Sequence, residues 1–194
     1  MQSAAHDLED RISATEIHER LMHKSHGLCN DHILACMLAS QLVGDGCMPP
    51  RLGLSTADYE NMMQLHFPGA ELPLSYMAEL AMDAQRYPEQ DELRSLLLAY
   101  RADPSQEAEW MAQIVVFGCM GGDHLWQDLG LWSRKDLTRL MQQNFAQLAA
   151  KNDRDMKWKK FLYKQLCQAE GIYVCRSPSC EVCPDYAACF GPEE

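Results

Sequence analysis

Four cysteines fall within fifteen residues near the C-terminal end of the chain: Cys175, Cys180, Cys183 and Cys189, spaced C-x4-C-x2-C-x5-C. A Cys-x-x-Cys turn points two thiolates into one concave face. Flanking cysteines four and five residues away can then close a loop around a larger object, and Pro178 and Pro184 stiffen that loop. Iron–sulfur clusters are held by four thiolates, often in one local run with a single tight pair. Structural zinc more often takes two short-spaced pairs well apart in sequence. One tight pair with two outliers favours an iron–sulfur cluster over zinc. The third reading is four small, packed cysteines.

Other residues could take part. Cys167 lies eight residues before Cys175, near the end of a helix, as an auxiliary ligand or a packed core cysteine. His124, beside Cys119 and Asp123 at the Gly121-Gly122 break, could ligate a metal or orient a ligand, although a lone histidine beside Leu125 and Trp126 is more often a hydrogen-bonded core residue. His18, His23, His26 and His32, with Cys29 and Cys36, read as an exposed polar face, because their spacing is loose and forms no H-E-x-x-H. Cys47, in a Gly/Pro loop, is either reactive or merely exposed. Lys151, Arg154, Lys157, Lys159, Lys160 and Lys164 concentrate six of the 17 basic residues in fourteen positions. A solvated helix face is the plainer reading of that run. The sharper one is a positive surface beside an anionic thiolate cluster, able to balance it, attract an oxyanion or steer an acidic partner.

The composition narrows the classes. The 194 residues suffice for one domain with a proper core, and 47% are hydrophobic, so the chain should fold. The net charge of −11 is wrong for a duplex nucleic-acid binder. The N-terminal MQSAAHDLED has no apolar signal-peptide core, and no run of ~18 apolar residues marks a membrane span. A cytoplasmic protein with reduced thiols is expected, which makes metal ligation a better use of clustered cysteines than disulfides. No Walker loop, G-x-G-x-x-G or G-x-S-x-G occurs, and no nucleophile–base pair stands out. The expectation is metal binding and hand-over, not turnover catalysis.

The elements that must position these residues are helical throughout: an all-α domain over residues 1–171, with the cysteine-rich segment 172–194 packed on it as a cluster loop. The pattern predicts a helix from Leu8 to Lys24 and another from Asp31, with Ile33, Leu34, Met37, Leu38 and Leu42 on one face and Gly44 as its stop. Residues 44–53 form a Gly/Pro loop. Ser55, with Asp58 three residues on, caps a helix that ends before Pro68-Gly69. Helices over 74–86 and 89–102 flank Tyr87-Pro88. Asp103-Pro104-Ser105 opens a helix running to Gly121-Gly122, and residues 123–132 connect. Ser133 caps a helix to Lys151, and the last helix spans 153–170, stopped by Gly171. The 12 methionines fill gaps between helices.

The stretch MKWKKFLYKQLC (156–167), the cysteine run and the terminal CFG (189–191) together resemble the NifQ family, the molybdenum-handling proteins of nitrogenase cofactor biosynthesis. DHLWQDLGLWSRKDLTRLM (123–141) and LHFPG (65–69) extend the resemblance, with anchors back to about residue 50. The resemblance implies that Cys175, Cys180, Cys183 and Cys189 carry an iron–sulfur cluster able to become a mixed molybdenum–iron–sulfur cluster. It further implies that molybdenum, taken from molybdate or a storage source, passes to the scaffold complex NifEN with the iron protein NifH. Soft thiolates on iron with one exchangeable corner would suit a carrier that must both hold and release its metal; the outliers Cys175 and Cys189 are better placed to leave that corner than the tight pair. Two rival classes remain. Helix-hairpin-helix DNA glycosylases carry a C-terminal C-x6-C-x2-C-x5-C loop, but no glycine-rich hairpin with a catalytic Lys and Asp is present here. A zinc-stabilised interaction module is the other.

Overall fold

The computed structural model describes residues 12–72, 87–169, 171 and 186–192. Among these there are ten α-helices and one short 3-10 turn, with no strand. The expected helix at 74–86, and Cys175, Cys180 and Cys183, lie outside the described residues.

Helix α1 (Ala14–Lys24) starts later than the Leu8 expected from the pattern. Ser13 is extended, and its hydroxyl accepts from the Glu16 backbone N–H while the Glu16 carboxylate accepts from the Ser13 N–H. This reciprocal capping box fixes the first turn where it stands. Helix α2 (Asp31–Val43) ends as expected at Gly44, in the left-handed region with φ 89°. It buries every residue from Ile33 to Ser40, so it is apolar nearly all round and runs through the centre of the bundle.

The 44–53 loop is tighter than a plain connector. Arg51, Leu52 and Gly53 are consecutively left-handed, a conformation costing roughly 1–2 kcal/mol for each non-glycine residue. Full burial of Leu52 offsets that cost, and Gly53 lies so close to Phe117 that a Cβ there would sit 2.0 Å from the ring.

Ser55 caps α3 (Thr56–His66) as expected. Helix α4 (Tyr87–Ala99) begins two residues before the expected position, because Pro88 is tolerated in a first turn where no N–H partner is required. Ser105 caps α5 (Gln106–Cys119), which buries ten residues and is the second central helix. The 123–132 connector contains a short helix, α6 (Leu125–Asp128). Helix α7 (Arg134–Asn144) is capped by Ser133 but stops before Lys151. Phe145, at φ −136° and ψ 48° with its side chain fully buried, breaks it, and a single turn, α8 (Ala146–Ala149), follows. Helix α9 (Trp158–Ala169) starts five residues later than expected, because Asp155 is left-handed and Asn152 ties its side chain to the Met156 backbone. A last short helix, α10 (Tyr186–Phe190), lies inside the cysteine segment.

One apolar core runs from Ile17 on α1 to Leu162 on α9. Helix α1 packs on α2, α4 packs on α5 and α9, and α6 bridges α5 to α7. Cys189 and Phe190 of α10 rest against this core. No described helix is long and apolar enough to cross a membrane.

Candidate metal centre

The described part of the cysteine run is its last member. Cys189 is half-buried in α10, and its carbonyl accepts from the Lys157 N–H at 2.8 Å. The end of the run is thus fixed to the start of the basic helix α9. Helical geometry there follows from Tyr186-Ala-Ala-Cys-Phe, and the Gly191 N–H closes the turn on the Ala187 carbonyl at 2.9 Å. The arrangement of all four thiols lies outside the described residues. Their chemistry fits an iron–sulfur cluster: four soft sulfur donors, local in sequence, one of them seated half-buried on the domain.

The basic run on and before α9 is not one uniform solvated face. Lys159 turns inward, donating to the Gly121 carbonyl at 2.8 Å and pairing with the Asp128 carboxylate, whose side chain is only 3% exposed. Lys151 stacks over the Tyr100 ring, 4.4 Å from its centre. Arg154 and Lys160 are exposed, and Lys157 and Lys164 are half-buried.

Asp128 is the hub of this joint. Besides Lys159, it accepts from the Asp123 N–H at 3.0 Å, and its backbone carbonyl accepts from the Cys47 N–H at 3.0 Å. The Cys47 thiol is half-buried against the same carboxylate. Burial and the neighbouring Asp128 push it up to about 12, which disfavours the thiolate, and the side chain is half-buried where the sequence allowed a reactive or merely exposed loop cysteine. Two glycines permit this approach. A Cβ on Gly121 would meet Asp128 Oδ1 at 2.2 Å and Cys47 Sγ at 2.5 Å, and a Cβ on Gly46 would meet the backbone of residues 127–130 at 3.0–3.1 Å.

His124 occupies the N-cap position of α6, half-buried, with its backbone N–H donating to Gln127 Oε1 at 3.2 Å. Cys119 ends α5, fully buried. Cys167 is half-buried on α9 beside the partly buried Leu166 and is not part of the closed core.

The N-terminal histidines do not form one exposed face. His23, His26 and Cys29 are exposed. His18, His32 and Cys36 instead converge where α1 crosses α2. His18 Nε2 lies 3.0 Å from His32 Nδ1, and Cys36 Sγ lies 4.0 Å from His32 Nδ1 and 3.7 Å from Nε2. His32 and Cys36, four apart on a helix, share a face by necessity; pairing with α1 adds His18. Burial, then the nearby His32, holds the His18 imidazole below its ordinary range. Burial, reinforced by Asp136, pushes the Cys36 thiol up to about 12.

A different histidine lies in the core. His66, 0% exposed, meets Asp31 Oδ1 through Nδ1 at 2.7 Å and faces Glu107 Oε1 from Nε2 at 3.4 Å. Glu107 Oε1 also accepts from Asn30 Nδ2 at 2.7 Å, and Asn30 and Asn144 exchange two side-chain hydrogen bonds of 2.9 Å. This network ties together α2, α3, α5 and α7.

The described residues form an all-helical domain, and the sequence adds a local run of four thiols, a donor set of the kind found in metal-binding proteins. Comparison with known proteins makes this specific: the NifQ family profile matches residues 33–191, a span that includes all four cysteines. The chain is similar to Protein NifQ of Azotobacter vinelandii, 44% identical over 178 residues, covering 87% of this chain and 91% of that one. It is 40% identical to Protein NifQ of Klebsiella pneumoniae over 156 residues, covering 76% and 90%. Against Protein NifQ of Rhodobacter capsulatus it is 39% identical over 164 residues, covering 83% and 87%. The chain belongs to the NifQ family. No solved structure matches it.

Proposed function

We propose that this protein carries molybdenum into nitrogenase iron–molybdenum cofactor assembly, with Cys175, Cys180, Cys183 and Cys189 holding an iron–sulfur cluster on which the molybdenum is received. The observation that carries the reading is membership of the NifQ family over a span that includes the whole cysteine run. The seating of Cys189 supports it, since a half-buried ligand on a short helix, hydrogen-bonded to the base of α9, gives the cluster loop a fixed end. The exposed Arg154 and Lys160 supply positive charge on the same helix and the turn before it, suited to an oxyanion such as molybdate or to an acidic partner.

Cys175, Cys180, Cys183 and Cys189 would hold the cluster, which would offer soft sulfide ligands to the incoming metal. The chain supplies the thiolates, the anchoring of one end of the loop, and the local positive charge. Function is transfer to the scaffold complex NifEN with the iron protein NifH, without catalytic turnover. The glycosylase reading finds no support from the family match, and the net charge of −11 opposes it.

The test is a transfer assay. Protein loaded without oxygen with iron and molybdate should deliver molybdenum to NifEN in the presence of NifH, and the Cys180→Ala and Cys183→Ala variants should deliver none. Equal delivery by those variants would refute the role of the cysteines.

A further inference from the structure

His18, His32 and Cys36 have a geometry that a satisfied surface cluster does not need. A tetrahedral ion with bonds of roughly 2.0–2.1 Å to nitrogen and 2.3 Å to sulfur sets its ligand atoms about 3.3–3.6 Å apart. The separations here are 3.0 Å between the two imidazole nitrogens and 4.0 Å from the thiol sulfur to His32 Nδ1. These two fall on either side of the required values, and all three ligand atoms lie within 4.8 Å of one another, so modest side-chain rotation would complete the set.

The surroundings match a ligand site too. His32 Nε2 lies 3.4 Å from Asp136 Oδ1, a carboxylate held in place by Ser133 Oγ at 2.8 Å. A carboxylate facing one ring nitrogen favours the tautomer protonated there, which leaves the other nitrogen free to ligate, as metal-bound histidines are commonly arranged. The His18 ring packs against Trp132, 4.7 Å between centres, and the Trp132 indole N–H is itself held by Ser40 Oγ at 3.2 Å. Both imidazoles are therefore oriented by the protein. Cys36 is buried, whereas the His32 side chain is 32% exposed, which leaves an entry path from solvent.

We propose that His18, His32 and Cys36 form a second metal site, separate from the C-terminal cysteine run, for a borderline divalent cation of the zinc class, with water at the fourth position. Imidazole nitrogen and thiolate suit zinc and its neighbours better than the hard cations that prefer oxygen. On binding, the Cys36 S–H bond breaks, its proton leaves to solvent and a sulfur–metal bond forms. The proton shared by His18 Nε2 and His32 Nδ1 moves to His18 Nδ1, and His32 keeps its own proton on Nε2 toward Asp136, so both rings stay neutral. No electron is transferred. The bound ion clamps α1 onto α2 and the start of α7, and the site needs no cluster on the C-terminal cysteines.

The test uses full-length protein in which Cys175, Cys180, Cys183 and Cys189 are all serine, titrated with cobalt(II) as a spectroscopic stand-in for zinc. The expected result is about one cobalt per chain with a sulfur-to-cobalt charge-transfer band and the d–d bands of a tetrahedral site. Both should vanish on adding Cys36→Ala or His18→Asn. No tetrahedral cobalt spectrum, or one unchanged by those substitutions, overturns the site. Should the serine variant fail to fold, zinc is measured in the otherwise intact protein purified with iron on its cysteines. Zinc per chain should fall by about one in Cys36→Ala, and unchanged zinc overturns the proposal.

Discussion

His66 and His18 are both helical histidines near an acidic residue, yet their surroundings put them to opposite uses. At His66 the ring is closed in, Nδ1 on Asp31 and Nε2 facing Glu107, and the network continues into Asn30 and Asn144. The ring is fully buried and its Nδ1 is held by Asp31, so this histidine is structural. At His18 the nearest polar atoms are another imidazole nitrogen and, across His32, a thiol, with a carboxylate standing behind. The lesson is about direction: polar side chains that turn onto protein partners make a joint, whereas donor atoms that turn toward one another make a site.

The comparison predicts effects of different kinds. The largest should follow from breaking the joint. His66→Ala leaves Oδ1 of the 2%-exposed Asp31 carboxylate without its partner, Leu28 N–H remaining on Oδ2, and opens a cavity, and should cost about 3–5 kcal/mol in denaturant unfolding with no change in bound metal. A loss below about 1 kcal/mol would show that the network is not structural.

Next in size is the Asp128 hub. Asp128→Asn strands the half-buried Lys159 charge and should cost about 2–3 kcal/mol. It also removes a carboxylate that keeps the Cys47 thiol protonated, so alkylation of Cys47 at pH 8 should accelerate. In the parent protein the exposed Cys29 should label well ahead of Cys36 and Cys47. Early labelling of Cys47 in the parent would contradict the joint as described.

His18→Ala should behave differently. Without metal it should change stability by less than about 1 kcal/mol, as for a partly exposed residue, while abolishing the rise in melting temperature produced by zinc. A zinc-induced rise as large as in the parent would erase the distinction between the two histidines.

The smallest effect is a pH dependence away from both regions. Hydrogen bonds from Ser55 and then Trp110 hold the Asp58 carboxyl below its ordinary value of 3.8. A depressed carboxyl contributes stability that is present above pH 3.8 and lost as pH falls through the lower, folded value. Asp58→Asn should flatten that limb of an acid-unfolding curve, equally with and without metal.

Much of the fold was legible because caps are local. Ser55, Ser105 and Ser133 mark three helix starts, and Gly44 marks a stop, each through a short side chain or a positive φ. What was not legible depended on burial. The α7 helix carries no sequence break at Asn144; it ends because the Phe145 side chain is drawn into the core. In the candidate sites, the four-cysteine run is written in spacing and was read directly. His32 and Cys36 share a face by their spacing, but His18 joins them only because α1 packs on α2. The partnership of Lys159 with Asp128 and Cys47 likewise joins residues from three separate segments, which meet where the glycines at 46 and 121 leave room.

The central claim is tested most directly by the metal content of protein purified without oxygen from cells given molybdate. Several irons and some molybdenum per chain are expected, all lost when Cys175, Cys180, Cys183 and Cys189 are replaced together. Absence of iron and molybdenum, with zinc held by those four cysteines, would contradict it.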